Sequence, residues 1–141
     1  MKVTMLLADA AQAVDGKLYI LGGGWSITSG PAPSAIAMKL EIPWDQTNVA
    51  HHWELYLLDA DGQPVMVPTP EGDQPVEARG DFEVGRPAGL PPGTPIDLPL
   101  AISIGPLPLG ASGRYTWRLT VDGQTDEDWS VTFSTVAPQP A

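Results

Sequence analysis

Val3-Thr4-Met5-Leu6-Leu7, then Asp15-Gly16, then Leu18-Tyr19-Ile20-Leu21 running into Gly22-Gly23-Gly24-Trp25, opens the chain as two short apolar runs around an Asp-Gly pair. Runs rich in branched and aromatic residues and bounded by turn residues read as strands, and Asp-Gly is among the strongest short-range hairpin signals. The chain therefore starts as a β-hairpin, and the rest follows in the same key. Ile36, Met38, Leu40 and Ile42 alternate with Ala37, Lys39 and Glu41, which gives a half-buried strand. His52 to Leu58 has Trp53, Leu55 and Leu57 on one face and Tyr56 and Leu58 on the other, as expected of an interior strand covered on both sides.

Asp59-Ala60-Asp61-Gly62 turns the chain into a short run from Pro64 to Val67. Val76 to Val84 places Val76, Ala78, Gly80, Phe82 and Val84 opposite a charged face of Glu77, Arg79, Asp81 and Glu83, and Gly80 reads as a bulge. Ile96, Leu98, Leu100, Ile102 and Ile104 form the longest clean alternation. Pro99 lies inside it and cannot donate to a ladder, so this strand belongs at a sheet edge or is bulged. Gly113 to Val121 and Trp129 to Phe133 close the chain as a second hairpin.

About eight or nine short strands without a helical period predict an all-β protein, an antiparallel sandwich occupying residues 1–136 as a single domain. Residues 137–141, Ala-Pro-Gln-Pro-Ala, read as a disordered tail. The approach to the penultimate strand, Leu107-Pro108-Leu109-Gly110 with Gly113-Arg114-Tyr115, resembles that of immunoglobulin-like domains. There, a tyrosine early in the strand hydrogen-bonds back across the corner, and Tyr115 is the candidate for that role.

With 141 residues the chain is long enough to bury a core without staples. Its net charge of −10 repels phosphate backbones and anionic membrane surfaces, so neither nucleic acid nor membrane is an expected partner. The sequence has no cysteine, which removes disulfides and thiolate metal sites and leaves the redox compartment open. The apolar run Val3 to Ala8 is broken by Asp9, too early for the core of a signal peptide, and the expected location is the cytoplasm, or a virion for a phage-encoded protein.

No catalytic constellation emerges, and neither an enzyme nor a bound cofactor is expected. Gly22-Gly23-Gly24 lacks the following Lys-Ser or Lys-Thr of a phosphate loop and any helix to follow it, so these glycines read as structural. His51 and His52 are neighbours, which in a strand point to opposite faces and cannot share one metal. A serine hydrolase would need a nucleophile elbow of the Gly-x-Ser-x-Gly kind, which is missing. Asp59-Ala60-Asp61-Gly62 is half a calcium loop and reads as a turn. The acidic tip Asp122 to Asp128 reads as a solvated turn, and no metal is expected there.

Phase sorts the five tryptophans. Trp53, Trp117 and Trp129 keep step with Leu55, Leu119 and Val131 and belong to the core. Trp25 and Trp44 sit at strand ends, out of phase. With Asp45, they are the candidate partner-binding residues, expected to form one surface at one end of the sandwich.

Leu7-Ala8-Asp9-Ala10-Ala11-Gln12, Gly16-Lys17-Leu18-Tyr19-Ile20-Leu21-Gly22-Gly23-Gly24-Trp25 and Pro43-Trp44-Asp45 resemble a family of small bacterial and phage-borne proteins of unknown function. The resemblance implies no functional residue. The expected role is a non-catalytic protein-interaction or assembly module, with a protein partner or self-association into a homo-oligomer. The alternatives are a phage capsid decoration or tail protein, and a carbohydrate- or calcium-binding sandwich.

Overall fold

A computed structural model describes residues 1–137, all but the last residues of the expected tail, so 138–141 lie outside the described residues. The described residues are all-β, with eleven strands: β1 (Lys2–Val14), β2 (Lys17–Gly23), β3 (Ile27–Ser29), β4 (Ser34–Ile42), β5 (His51–Leu58), β6 (Met66–Thr69), β7 (Gly72–Pro75), β8 (Glu77–Phe82), β9 (Ile96–Ile104), β10 (Arg114–Val121) and β11 (Ser130–Val136). A 3₁₀ turn covers Trp44–Gln46. The excess over eight or nine is β3 and β7, which are only three and four residues long and carry too little alternation to announce themselves. Among the described residues no helix is long and apolar enough to cross a membrane.

One sheet has the order β2-β1-β4-β9 and the other β3-β11-β10-β5-β8, with β6-β7 a separate hairpin. The expectation of purely antiparallel pairing fails at one place, because β3 runs parallel to β11. From the first sheet Val3, Leu7, Ile36, Met38, Leu40 and Ile42 face inward. From the second, Trp53, Leu55, Leu57, Trp117, Leu119, Val121 and Phe133 meet them in one apolar cluster. This is the side-chain interdigitation of two packed sheets. β9 is an edge strand, and Pro99 sits opposite Lys39 in an unbroken register.

Gly80 does not form a bulge. It pairs directly with Trp53 in a continuous register, and a Cβ there would lie 2.8 Å from the indole ring. The glycine is a seat for Trp53. Tyr115 packs on Phe133 at 5.6 Å between ring centroids and covers Gly113, whose Cβ would meet its ring at 2.6 Å. Among the described residues its hydroxyl makes none of the hydrogen bonds expected of a tyrosine corner.

The opening hairpin is longer than its apolar runs. Asp15 and Gly16 both have positive φ, 51° and 72°, as a two-residue hairpin turn of the favoured primed type requires. β1 pairs with β4 only from Lys2 to Ala8, whereas its second half pairs with β2 alone. This two-stranded arm curls over the outer face of its own sheet, where Ala11 and Leu18 pack on Ala35, Ala37 and Ala101. Alanine at each of these contacts lets the arm lie close.

Candidate functional site

Side-chain alternation leaves the far face of the arm uncovered. Gln12 pairs with Tyr19, Ala10 with Leu21 and Val14 with Lys17, so these residues share the face turned away from Ala35 and Ala37. Tyr19 is 56 % exposed and Leu21 71 %, and Val14 is exposed beside them. Among the described residues β2 is also the last strand of its sheet, so its outer edge carries main-chain groups without strand partners there. An apolar stripe on an open edge is the arrangement that native proteins otherwise blunt with charge or proline. The sequence shows the stripe only as a strand, because the alternation cannot tell which face the fold will cover.

The arm leads directly to Trp25. Gly22 and Gly24 take positive φ, 61° and 92°, as the chain leaves β2 and crosses to β3 in the other sheet. A side chain at Gly22 would also collide with the Asp9 carboxylate. Beyond this crossing Trp25 meets Phe133 edge-on at 6.2 Å and forms a wall of a cavity of about 270 Å³ with Leu7, Leu107, Leu109 and Trp117. Trp25 is therefore half-buried against the core rather than free at a rim.

Trp44 lies at the other end. β4 starts at Ser34, which lines the Trp25 cavity, and ends at Ile42, just before the 3₁₀ turn that carries Trp44 and Asp45. The fold thus separates the two tryptophans by the length of a strand, and they do not form one surface. The Arg86 guanidinium stacks 4.1 Å from the Trp44 ring centre, donates from Nη2 to the Trp44 carbonyl at 2.7 Å, and donates from Nε to Thr47 Oγ1 at 2.6 Å. One ring face is consequently occupied. Asp45 is exposed in the first turn.

Sequence reasoning missed a charged network around the two histidines. Buried His51 donates Nδ1–H to Asp122 Oδ2 at 2.7 Å and Nε2–H to the Gln46 carbonyl at 2.8 Å, and it stacks on Phe82. Only the doubly protonated ring can make both bonds. The Asp122 hydrogen bond, helped by the Gln46 carbonyl and opposed by burial, holds its pKa above the usual value. Asp122 is in turn held below the carboxylate range by His51 and by the His52 N–H. His52 meets Asp81 at 2.8 Å and Glu54 at 3.1 Å, and these raise its pKa as well. The His51–Asp122 pair resembles half of a hydrolytic triad, but the second ring nitrogen faces a main-chain carbonyl instead of a hydroxyl nucleophile. The acidic tip is likewise committed: Asp122 turns to the histidines and Asp126 accepts from the Glu127 N–H at 2.6 Å. No group of three metal-ligating side chains converges among the described residues.

Residues 3–133 match the model of a family of unknown function (DUF6941), and the chain belongs to that family. No curated protein matches the chain.

Proposed function

We propose that this member of the family is a non-catalytic protein-interaction or assembly module whose partner, a second protein or another copy, docks on the β1–β2 arm. The observation that carries the reading is the uncovered stripe of Val14, Tyr19 and Leu21 beside the open edge of β2. Extended partners add to such edges through main-chain hydrogen bonds, while alternate side chains supply the specificity. Trp25 is held against the core at the root of the arm and lies off this surface, and Trp44 with Asp45 is a separate second contact at the opposite end. The accompanying fold reading is an immunoglobulin-like sandwich, supported by the β1-β4-β9 order opposite β11-β10-β5 and by the addition of β3 to the last strand.

The test is a Tyr19→Ser, Leu21→Ser double variant examined by sedimentation velocity, alone and with any candidate partner. Unchanged thermal stability with loss of association is the expected result. Association identical to that of the unaltered chain refutes the arm as the docking surface.

A further inference from the structure

An open sheet edge is a hazard that native proteins blunt, and among the described residues three of the four edges of the two main sheets are blunted. β9 carries Pro99, β8 carries Glu77, Arg79 and Asp81 on one face, and β3 is three residues long. β2 has neither a proline nor an acidic residue, and all of it from Tyr19 to Gly23 is exposed. The turn at Asp15-Gly16 also settles how its backbone points. Val14 and Lys17 flank this two-residue turn and form a hydrogen-bonded pair, and the pattern alternates from there. Tyr19 and Leu21 therefore bond to β1, whereas Leu18 and Ile20 turn their N–H and C=O groups to the open edge.

This edge is complementary to itself. Ile20 is the middle residue of the seven-residue β2, so two copies paired antiparallel about a two-fold axis at Ile20 match the strand along its whole length. Tyr19 falls opposite Leu21 of the other copy in the closer, non-hydrogen-bonded kind of pair, and the two most exposed apolar residues of the arm cover each other twice. Leu18 falls opposite Gly22 and Lys17 opposite Gly23, long side chains against glycines. Lys17 also arrives beside Asp9 of the other copy, whose carboxylate lies where a side chain at Gly22 would be. Among the described residues neither Lys17 nor Asp9 has an ion-pair partner in its own chain. Opposite charges thus meet at both ends of the pairing, and no like charges stand directly opposite each other.

We infer that the occupant of the arm is a second copy of this chain, joined by antiparallel pairing of β2 with β2 about Ile20 into one sheet continuous across both copies. The inference rests on the arm being the docking surface and adds to it the partner and the register. The net charge of −10 on each copy opposes the approach at long range, but screening over about 8 Å at physiological salt leaves the local contacts to decide.

The chain has no cysteine, so an introduced one reports the register by disulfide trapping. In this pairing the two Ile20 Cα atoms lie about 5.5 Å apart, within disulfide reach, whereas the two Leu21 Cα atoms lie about 8 Å apart, beyond it. Under mild oxidation Ile20→Cys is expected to give a covalent dimer, and Leu21→Cys alone and Tyr19→Cys alone none. An equimolar mixture of the last two should give a covalent heterodimer, which keeps the register testable if Ile20→Cys does not fold. The unaltered chain should sediment as a dimer. A monomer throughout the micromolar range overturns the inference, and so does equal crosslinking of Ile20→Cys and Leu21→Cys. A monomeric chain whose arm still captures another protein overturns only the second copy as occupant. Dimers that the Tyr19→Ser, Leu21→Ser exchange leaves intact overturn the docking reading as well.

Discussion

His51 shows how a buried residue makes the stability of this protein depend on pH. Its folded pKa lies above the usual 6.5, so the stabilisation it provides is fully present below that value and is lost as pH rises through the folded pKa. Asp122 acts in the opposite sense: its contribution is present above the usual 3.8 and is lost as pH falls through its lowered folded value. The pair is therefore most stabilising between about pH 4 and 6.5. Thermal melts should show the unaltered protein losing stability above neutrality relative to its maximum, and a His51→Gln variant should flatten that alkaline limb. An alkaline limb of the same slope in the variant would remove His51 as its cause. Gly80 gives a second test at this scale. Gly80→Ala puts a methyl group into the Trp53 indole and should cost about 1–3 kcal/mol. Gly85→Ala, whose nearest neighbour would be Asn48 at 3.8 Å, should stay within about 0.5 kcal/mol in chemical denaturation. Neither feature was legible beforehand. A glycine in a strand looks the same whether it bulges or seats a ring, and the partners of His51 are 71 residues away at Asp122 and in the turn at Gln46.

Strand identity, by contrast, was largely written in the alternation. Ile36 to Ile42, His52 to Leu58 and Ile96 to Ile104 all fall within observed strands, and Pro99 marks its strand as an edge because the missing N–H excludes it from the middle of a sheet. Elements that depend on tertiary context were not readable. β1 continues through Ala8-Asp9-Ala10-Ala11-Gln12-Ala13, a poor strand sequence by itself, because β2 pairs with it and the alanines fit beneath the curl of the arm. β3 exists because β11 offers it an edge. The β2–β3 crossing makes a prediction at this scale: Gly22→Val combines a positive φ with a collision at Asp9, so it should destabilise by more than about 2 kcal/mol, measured by denaturant melts. A neutral outcome would mean that the crossing has room to adjust.

The molecule as a whole is two sheets sharing one core, with a ribbon from one of them folded back over its own outside. Trp117, 2 % exposed between the sheets, anchors that core, and Trp117→Ala should cost about 3–5 kcal/mol in denaturant melts. A loss below about 1 kcal/mol would contradict its central place. Sequence phase placed Trp53 and Trp117 in the core, but it did not set Trp129 apart from Trp25, both of which are partly buried against that core, and it could not place Trp25 and Trp44 relative to one another, since that depends on how often the chain reverses between them. Nor could it single out the arm, whose exposed face is apolar for the same reason that a buried face would be. The docking role proposed for that face is the central claim. Its most direct measurement is site-specific photocrosslinking in the cells that make the protein, with a benzophenone side chain at Leu21 on the arm or at exposed Arg118 on the outer face of β10. Discrete protein adducts from Leu21 and none from Arg118 are the predicted result, and no adduct from Leu21, or the same adducts from both positions, would contradict it.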